Sequence, residues 1–172
     1  MPKLYLVFKK TAQTNMENFV SWCAGPMVHV DIVLGESKIM FTSYMFERFS
    51  MNKAAGYSAL THETLTLQVS QQEYDAAQEL LLRLVEREIP YNFSDVFHLI
   101  LPSATQVQDV AAESDIDSLF CSQAATLVLR SALQPGQLQS VLCGLNSRTT
   151  TPNMLYEALK PFCGSGDDPC AL

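Results

Sequence analysis

Charge is scarce in this chain. Asp, Glu, Lys and Arg make up 17% of its 172 residues, against 48% hydrophobic. A disordered polypeptide needs the reverse balance, so a packed core is expected. Long apolar runs are missing as well. None reaches the ~20 residues that a bilayer-spanning helix requires, so no integral membrane segment is expected. Nor is there a basic cluster. Eleven Lys and Arg stand against eighteen Asp and Glu, a net charge of −7, and nucleic acid is not an expected partner. The five cysteines are Cys23, Cys121, Cys143, Cys163 and Cys170. Their odd number and the lack of a CxxC pair disfavour a disulfide framework and a zinc ribbon. No metal or organic cofactor is implied. Cys170-Ala171-Leu172 is one residue short of a prenylation box. Met1–Lys10 lacks the layout of a signal peptide, so the expected location is cytoplasmic, in a host cytoplasm or virion if the chain is viral. Repeats and dividing linkers are also missing. The length suits one domain, taken as residues 1–163, with a loose tail over 164–172.

What is present reads as an α+β fold. Lys3–Lys9 alternates Leu4, Leu6 and Phe8 with Tyr5 and Val7, a strand apolar on both sides. Asn15–Cys23 suits a short helix that Gly25-Pro26 breaks. Met27–Leu34 and Lys38–Phe46 flank Gly35-Glu36-Ser37 and predict a hairpin. With period two, Val28, Val30, Ile32 and Leu34 share one face, while His29, Asp31 and Val33 share the other. Residues 47–60 read as a loop with room for one short strand. Thr64–Val69 alternates as a further strand. Ser70-Gln71-Gln72-Glu73 is a capping box. It opens a helix to about Arg87, whose apolar stripe is Tyr74, Ala77, Leu81, Leu84 and Val85. Asp95–Leu101 suits a short helix and Pro102–Ser114 a surface loop. Gln134-Pro135-Gly136 is a stop signal. Ser140–Leu145 suits a short helix, and Thr151-Pro152 starts the last one, with Thr151 as N-cap. The expected architecture is an antiparallel sheet of four to six strands packed against helices.

The chemistry-bearing stretch is Asp117–Arg130. Asp117 and Ser118 are candidate N-caps. Helical steps from Cys121 reach Ala125, Val128, Leu129 and Ala132, all small or apolar. Cys121 therefore faces the protein interior from the first turn, where unpaired N–H groups and the helix dipole favour a thiolate. A buried cysteine acting as a small hydrophobe also fits this stretch. A thiol nucleophile needs a base, and the base an orienting group. Histidine suits the base because it titrates near neutral pH. His62 falls in a polar loop beside Glu63. His98 lies among Phe97 and Leu99, as a packed histidine would. His29 instead opens a core strand just after the Gly-Pro break, where it can be held rigidly at a cleft.

Four motifs together resemble a known family. Gly25-Pro26-Met27-Val28-His29-Val30-Asp31-Ile32-Val33-Leu34 is similar to the histidine strand of the NlpC-type papain-like hydrolases. Phe120-Cys121-Ser122-Gln123-Ala124-Ala125 resembles their nucleophile helix. Ile89-Pro90-Tyr91-Asn92-Phe93 resembles the Pro-Tyr segment before that cysteine, and Thr151-Pro152-Asn153-Met154-Leu155 a segment after it in YiiX-like members. Histidine before cysteine is the order of the circularly permuted branch, which includes, more distantly, lecithin:retinol acyltransferase. The resemblance covers roughly residues 25–160. It implies a permuted papain-like fold, with Cys121 as nucleophile, His29 as general base, and Tyr91 on the substrate side near the oxyanion site. The implied activity is that of a thiol hydrolase (an amidase or peptidase) or acyltransferase. Its substrate would be an amide or ester in a peptide, protein tail or lipid. The third catalytic position departs from the family pattern. Phe41 cannot orient an imidazole, and Asp31, Thr42 and Ser43 all remain open, Asp31 first. Gln123 is a candidate substrate contact or a solvent-facing residue of the first turn. An inactive module that binds a protein or peptide is the alternative function. Substrate identity and oligomeric state are not legible.

Overall fold

The computed structural model describes residues 1–10, 17–18, 21, 25–54, 56–94, 96, 108–110 and 113–165. Its architecture is α+β, as the patterning predicts. Strand β1 spans Lys3–Lys9, β2 His29–Leu34, β3 Ile39–Thr42, β4 Ser50–Lys53 and β5 His62–Gln68. Helix α1 spans Gln71–Glu86, α2 Cys121–Ala132, α3 Gln137–Cys143 and α4 Pro152–Leu159. A two-residue strand, β6, is formed by Gly164–Ser165. The sheet order is β4-β3-β2-β1-β5-β6, and all of its pairings are antiparallel.

Period-two alternation decides what each face of the sheet does. Leu4, Leu6 and Phe8 of β1, Val30, Ile32 and Leu34 of β2, Phe41 of β3, and Leu65 and Leu67 of β5 enter the main core. The helices supply the other half of that core: Tyr74, Ala77, Leu80, Leu81 and Leu84 from α1, and Ala124, Ala125, Val128 and Leu129 from α2. The opposite face carries a smaller apolar cluster of Tyr5, Val7 and Val33, with Met40, Ala54 and Tyr57 against it. By the same alternation His29 and Asp31 belong to this second face. The β2–β3 register sets Ile32 opposite Phe41. One step further along, Asp31 and Thr42 face each other.

Two glycines hold the histidine strand in place. Gly25 adopts φ +100°, and a Cβ there would lie 2.8 Å from the side chain of Asn153. The lead-in to β2 is thereby seated against the start of α4. Gly35 opens the β2–β3 turn, where a Cβ would meet the Lys3 carbonyl at 2.7 Å. The Gly35 N–H donates to that same carbonyl at 2.9 Å, which closes the hairpin onto β1.

Helix α1 matches its sequence signals. Ser70 is the N-cap, the Glu73 carboxylate reaches back to the Ser70 N–H, and Arg87 is the C-cap. Glu73 also accepts from the backbone N–H of Gln134 at 2.9 Å, so one carboxylate caps α1 and anchors the segment after α2. Thr151 caps α4, accepting from the Met154 N–H at 3.1 Å, with Pro152 at the first helical position as expected.

Several boundaries differ from the sequence reading. Helix α2 starts at Cys121 with Phe120 as N-cap, not at Asp117 or Ser118. Residues 119–120 are extended because Leu119 is bridged to Tyr91, and that pairing holds the chain out of a helical turn. His62 is the first residue of β5, not part of a polar loop. It is half-buried, and its ring meets the Tyr57 ring edge-on at 5.2 Å. Within the stretch 47–60 the one strand allowed for is β4. The first two residues of the expected tail pair with Leu65 and Thr66 of β5. Of the helix expected over Asn15–Cys23, only Glu17, Asn18 and Ser21 are described, all helical. His98, most of the helix expected over Asp95–Leu101, Cys23 and Cys170 lie outside the described residues.

Candidate active site

Helix α2 is buried almost all round, polar residues included. Such a helix belongs in the middle of a fold, and its polar groups must be satisfied locally. They are. Ser122 donates to the Thr150 carbonyl at 2.7 Å, and Thr126 donates to the Ser122 carbonyl at 2.7 Å. Gln123 is 1% exposed, and its Oε1 accepts a long bond, 3.4 Å, from the Phe120 N–H. Gln123 is therefore an internal cap of its own helix, not the solvent-facing residue that its position suggested. The first bond of the helix ladder runs from the Ala124 N–H to the Phe120 carbonyl. The N–H groups of Cys121, Ser122 and Gln123 stand ahead of that ladder, where a helix attracts negative charge.

The segment that delivers Cys121 is fixed at Leu119. Its N–H donates to the Pro90 carbonyl at 2.9 Å, and its carbonyl accepts from the Asn92 N–H at 3.0 Å. A third bond comes from Ser43, whose hydroxyl donates to the same carbonyl at 2.9 Å. Ser43 was one of three residues open as the orienting group. Its hydroxyl is turned to this backbone instead of to the ring, and it acts as a tie between the end of β3 and the start of α2.

The ring of His29 is gripped from one side by the other two. Its Nε2 lies 2.8 Å from Asp31 Oδ1 and 3.0 Å from Thr42 Oγ1. A nitrogen has one hydrogen to give, so these oxygens share it as acceptors. The Thr42 hydroxyl also interacts with that of Tyr44. Asp31 and His29 are two apart along one strand, yet the carboxylate reaches the ring. With Nε2 engaged by Asp31 and Thr42, the ring is also near enough to Cys121 to be raised by its charge. His29 is 6% exposed, Asp31 2% and Cys121 7%.

Electrostatics follow from this packing. Burial alone would push His29 towards the neutral form, but the charges of Asp31 and Cys121 and the hydrogen bonds to both outweigh it. The imidazolium is held up to about 10. Tyr44 lies flat on the ring, with centroids 4.4 Å apart and planes at 10°. Burial, with Asp31 next, raises the Tyr44 hydroxyl to about 12. Tyr91 lies near enough to Cys121 to feel its charge. Burial, and then the charge of Cys121, push its hydroxyl well above the usual phenol range. At neutral pH it is a donor.

Searched against protein-family models, curated proteins and solved structures, the chain matches none of them.

Tyr44 and Tyr57 are absent from the sequence reading. Tyr57 points its hydroxyl at Met40 Sδ, 2.8 Å away, and at Asp31 Oδ2, 3.5 Å away. A signal for Tyr44 existed, because it lies two residues beyond Thr42 and period two returns it to the face of His29. No local pattern marks Tyr57, which arrives from the connection between β4 and β5. From Tyr91 an aromatic row runs outward. Its ring meets Phe93 at 5.0 Å, and Phe93 meets Phe46 at 4.9 Å. Phe46 is 84% exposed and has φ +68°, a conformation rare for a bulky residue. Among the described residues no cluster of His, Cys, Asp and Glu fits a metal ion, and no helix is long and apolar enough to cross a membrane.

Proposed function

We propose that this protein is a thiol-dependent hydrolase or acyltransferase acting on an amide or ester carbonyl. The observation that carries the reading is a cysteine at a helix N-terminus beside a buried histidine whose Nε2 is held by a carboxylate. That is the nucleophile, base and orienting group of covalent acyl transfer. The resemblance to circularly permuted NlpC-type papain-like hydrolases supports the same assignment, and Asp31 with Thr42 occupies its open third position.

Each group has a step. His29 holds the proton shed by the thiol, as an imidazolium stabilised by Asp31 and paired with the Cys121 thiolate. The Cys121 sulfur attacks the carbonyl carbon and its oxygen gains negative charge. The Cys121 N–H and the Tyr91 hydroxyl are the donors for that oxygen. The imidazolium returns its proton to the departing amine or alcohol, leaving a thioester on Cys121. Water, or an acceptor nucleophile, then gives a proton to His29 and releases the acyl group as acid or as transfer product. Cytoplasmic operation on a peptide, a protein tail or a lipid ester is part of this reading, and the net charge of −7 and the lack, among the described residues, of a helix long and apolar enough to cross a membrane fit it.

Cys143 is exposed and Cys121 is buried, which supplies an internal control. Iodoacetamide at pH 6 should modify Cys121 at least tenfold faster than Cys143, read by peptide mass analysis. An ordinary buried thiol reacts more slowly than an exposed one, so the reverse order would sink the proposal. p-Nitrophenyl acetate should leave an acetyl thioester on Cys121, absent from Cys121→Ser.

A further inference from the structure

A cavity lies apart from the thiol. It holds about 610 Å³ and is lined by Lys10, Tyr57, His62, Glu63, Tyr156 and Lys160, among others. That volume is in the range of small-molecule sites. Its charge runs against the rest of the molecule. In a chain of net charge −7, two lysines converge here. The Lys10 ammonium donates to the Ala59 carbonyl at 3.1 Å, and the Lys160 ammonium lies 5.3 Å from the centroid of the Tyr156 ring. Both partners line the cavity, so each cation is held at its wall. Glu63 is the acid in the lining, and its carboxylate already accepts the Tyr156 hydroxyl. His62 adds no positive charge at neutral pH, because burial lowers it. The remaining walls are mixed: the rings of Tyr57 and Tyr156 with Leu65 on the apolar side, and the hydroxyl residues Ser58 and Thr64 on the polar side.

We propose that this cavity binds a small organic anion, its acid group answered by Lys10 and Lys160 and its apolar body lying against Tyr57, Tyr156 and Leu65. The pattern suits an amphipathic ligand: aromatic and aliphatic surface beside polar groups that can fix orientation. A fully hydrated inorganic ion would leave the aromatic walls unused. A neutral apolar ligand would leave two ammonium groups beside it with no opposite charge from the ligand. The site is also adjacent to the chemistry proposed above. Tyr57 is wall to the cavity on one side and neighbour to Asp31 on the other. The binding proposal stands without that chemistry and is tested without it.

The probe is 8-anilinonaphthalene-1-sulfonate, an aromatic sulfonate that fluoresces on entering an apolar site, titrated into the folded full chain carrying Cys121→Ser. One saturable site is expected. Lys10→Ala/Lys160→Ala should weaken it at least tenfold, while Lys3→Ala/Lys53→Ala, which removes the same charge elsewhere, should change it less than twofold. Equal losses in both double variants would show only a response to net charge and would overturn the proposal. Should the first variant fail to fold, the unmodified chain still decides the matter. N-phenyl-1-naphthylamine has the same body without the sulfonate. It should bind at least tenfold more weakly, and equal binding would overturn the assignment of an anion. Ala59→Trp, at the exposed rim, should lower binding of the sulfonate. Full binding in that variant would place the probe elsewhere and sink the site.

Discussion

The side chain that decides the chemistry is Asp31. It is buried beside a histidine, and a charge in that position is tolerated only when paired and hydrogen-bonded. Replacing it by Asn keeps the shape and removes the charge that holds the ring protonated. In Asp31→Asn the ring proton signal of His29 should titrate at least one pH unit lower than in the unmodified chain, followed by NMR. The sign of its contribution to folding follows from the raised value. Stabilisation by the charged ring is complete below pH 6.5, the ordinary value, and is lost as pH rises through about 10. Alkylation of Cys121 at pH 6 should fall by at least tenfold in the same variant. Thr42→Val tests the second acceptor. It removes one partner of Nε2 and leaves the carboxylate, so a smaller drop of about two- to fivefold is expected, on the scale of one modest hydrogen bond. At this scale the sequence was partly legible. His29 and Cys121 stood out by local context. Their orienting groups did not, because choosing among Asp31, Thr42 and Ser43 depends on side-chain reach across two strands.

At the scale of elements, the tie from Ser43 to Leu119 and the cap at Glu73 lead to separate predictions. Ser43→Ala withdraws a donor from a buried carbonyl that keeps its bond from Asn92. A loss of about 1 kcal/mol is expected, read as a drop of ~2–4 °C in melting temperature for a domain of this size. Ser70→Ala should cost about 1 kcal/mol through the lost N-cap. Neither residue touches the ring, so alkylation of Cys121 should keep its pH profile in Ser70→Ala. Ser43→Ala, by contrast, should slow it without moving that profile, since Ser43 positions the thiol and does not titrate it. Elements with local signatures were readable from the sequence. The capping box of α1, the Thr-Pro start of α4 and the alternation of β1 each specify their structure within a few residues. The start of α2 was misplaced because Asp117 and Ser118 are good caps locally. Non-local pairing of Leu119 with the segment 90–92 overrides them, and no local rule contains that information.

For the whole molecule, the sheet and helices were legible as an α+β arrangement because apolar periodicity switches cleanly between two and 3.6. The cavity between β5 and α4 was not, since its lining comes from separate parts of the chain. Acid stability is a property of the assembly. Burial works to raise Glu73 and Asp109, but the N–H groups and hydroxyls of Gln134 and Ser70 hold Glu73 below its ordinary 4.5. Arg130 and Ser147 hold Asp109 below 3.8. Groups shifted down stabilise above their ordinary values, and that contribution is lost as pH falls through the folded ones. Melting temperature should therefore decline below about pH 4.5, and the decline should be shallower in Glu73→Gln and in Asp109→Asn, measured by calorimetry.

The clasp that Ser43 makes joins residues 76 apart in sequence. A chain still emerging from the ribosome, or one partly melted, has no such closure. Its cysteine then lacks both a base and a fixed approach to any carbonyl. On the proposed function, Cys121 would react only in copies whose two distant stretches have been brought together by that clasp.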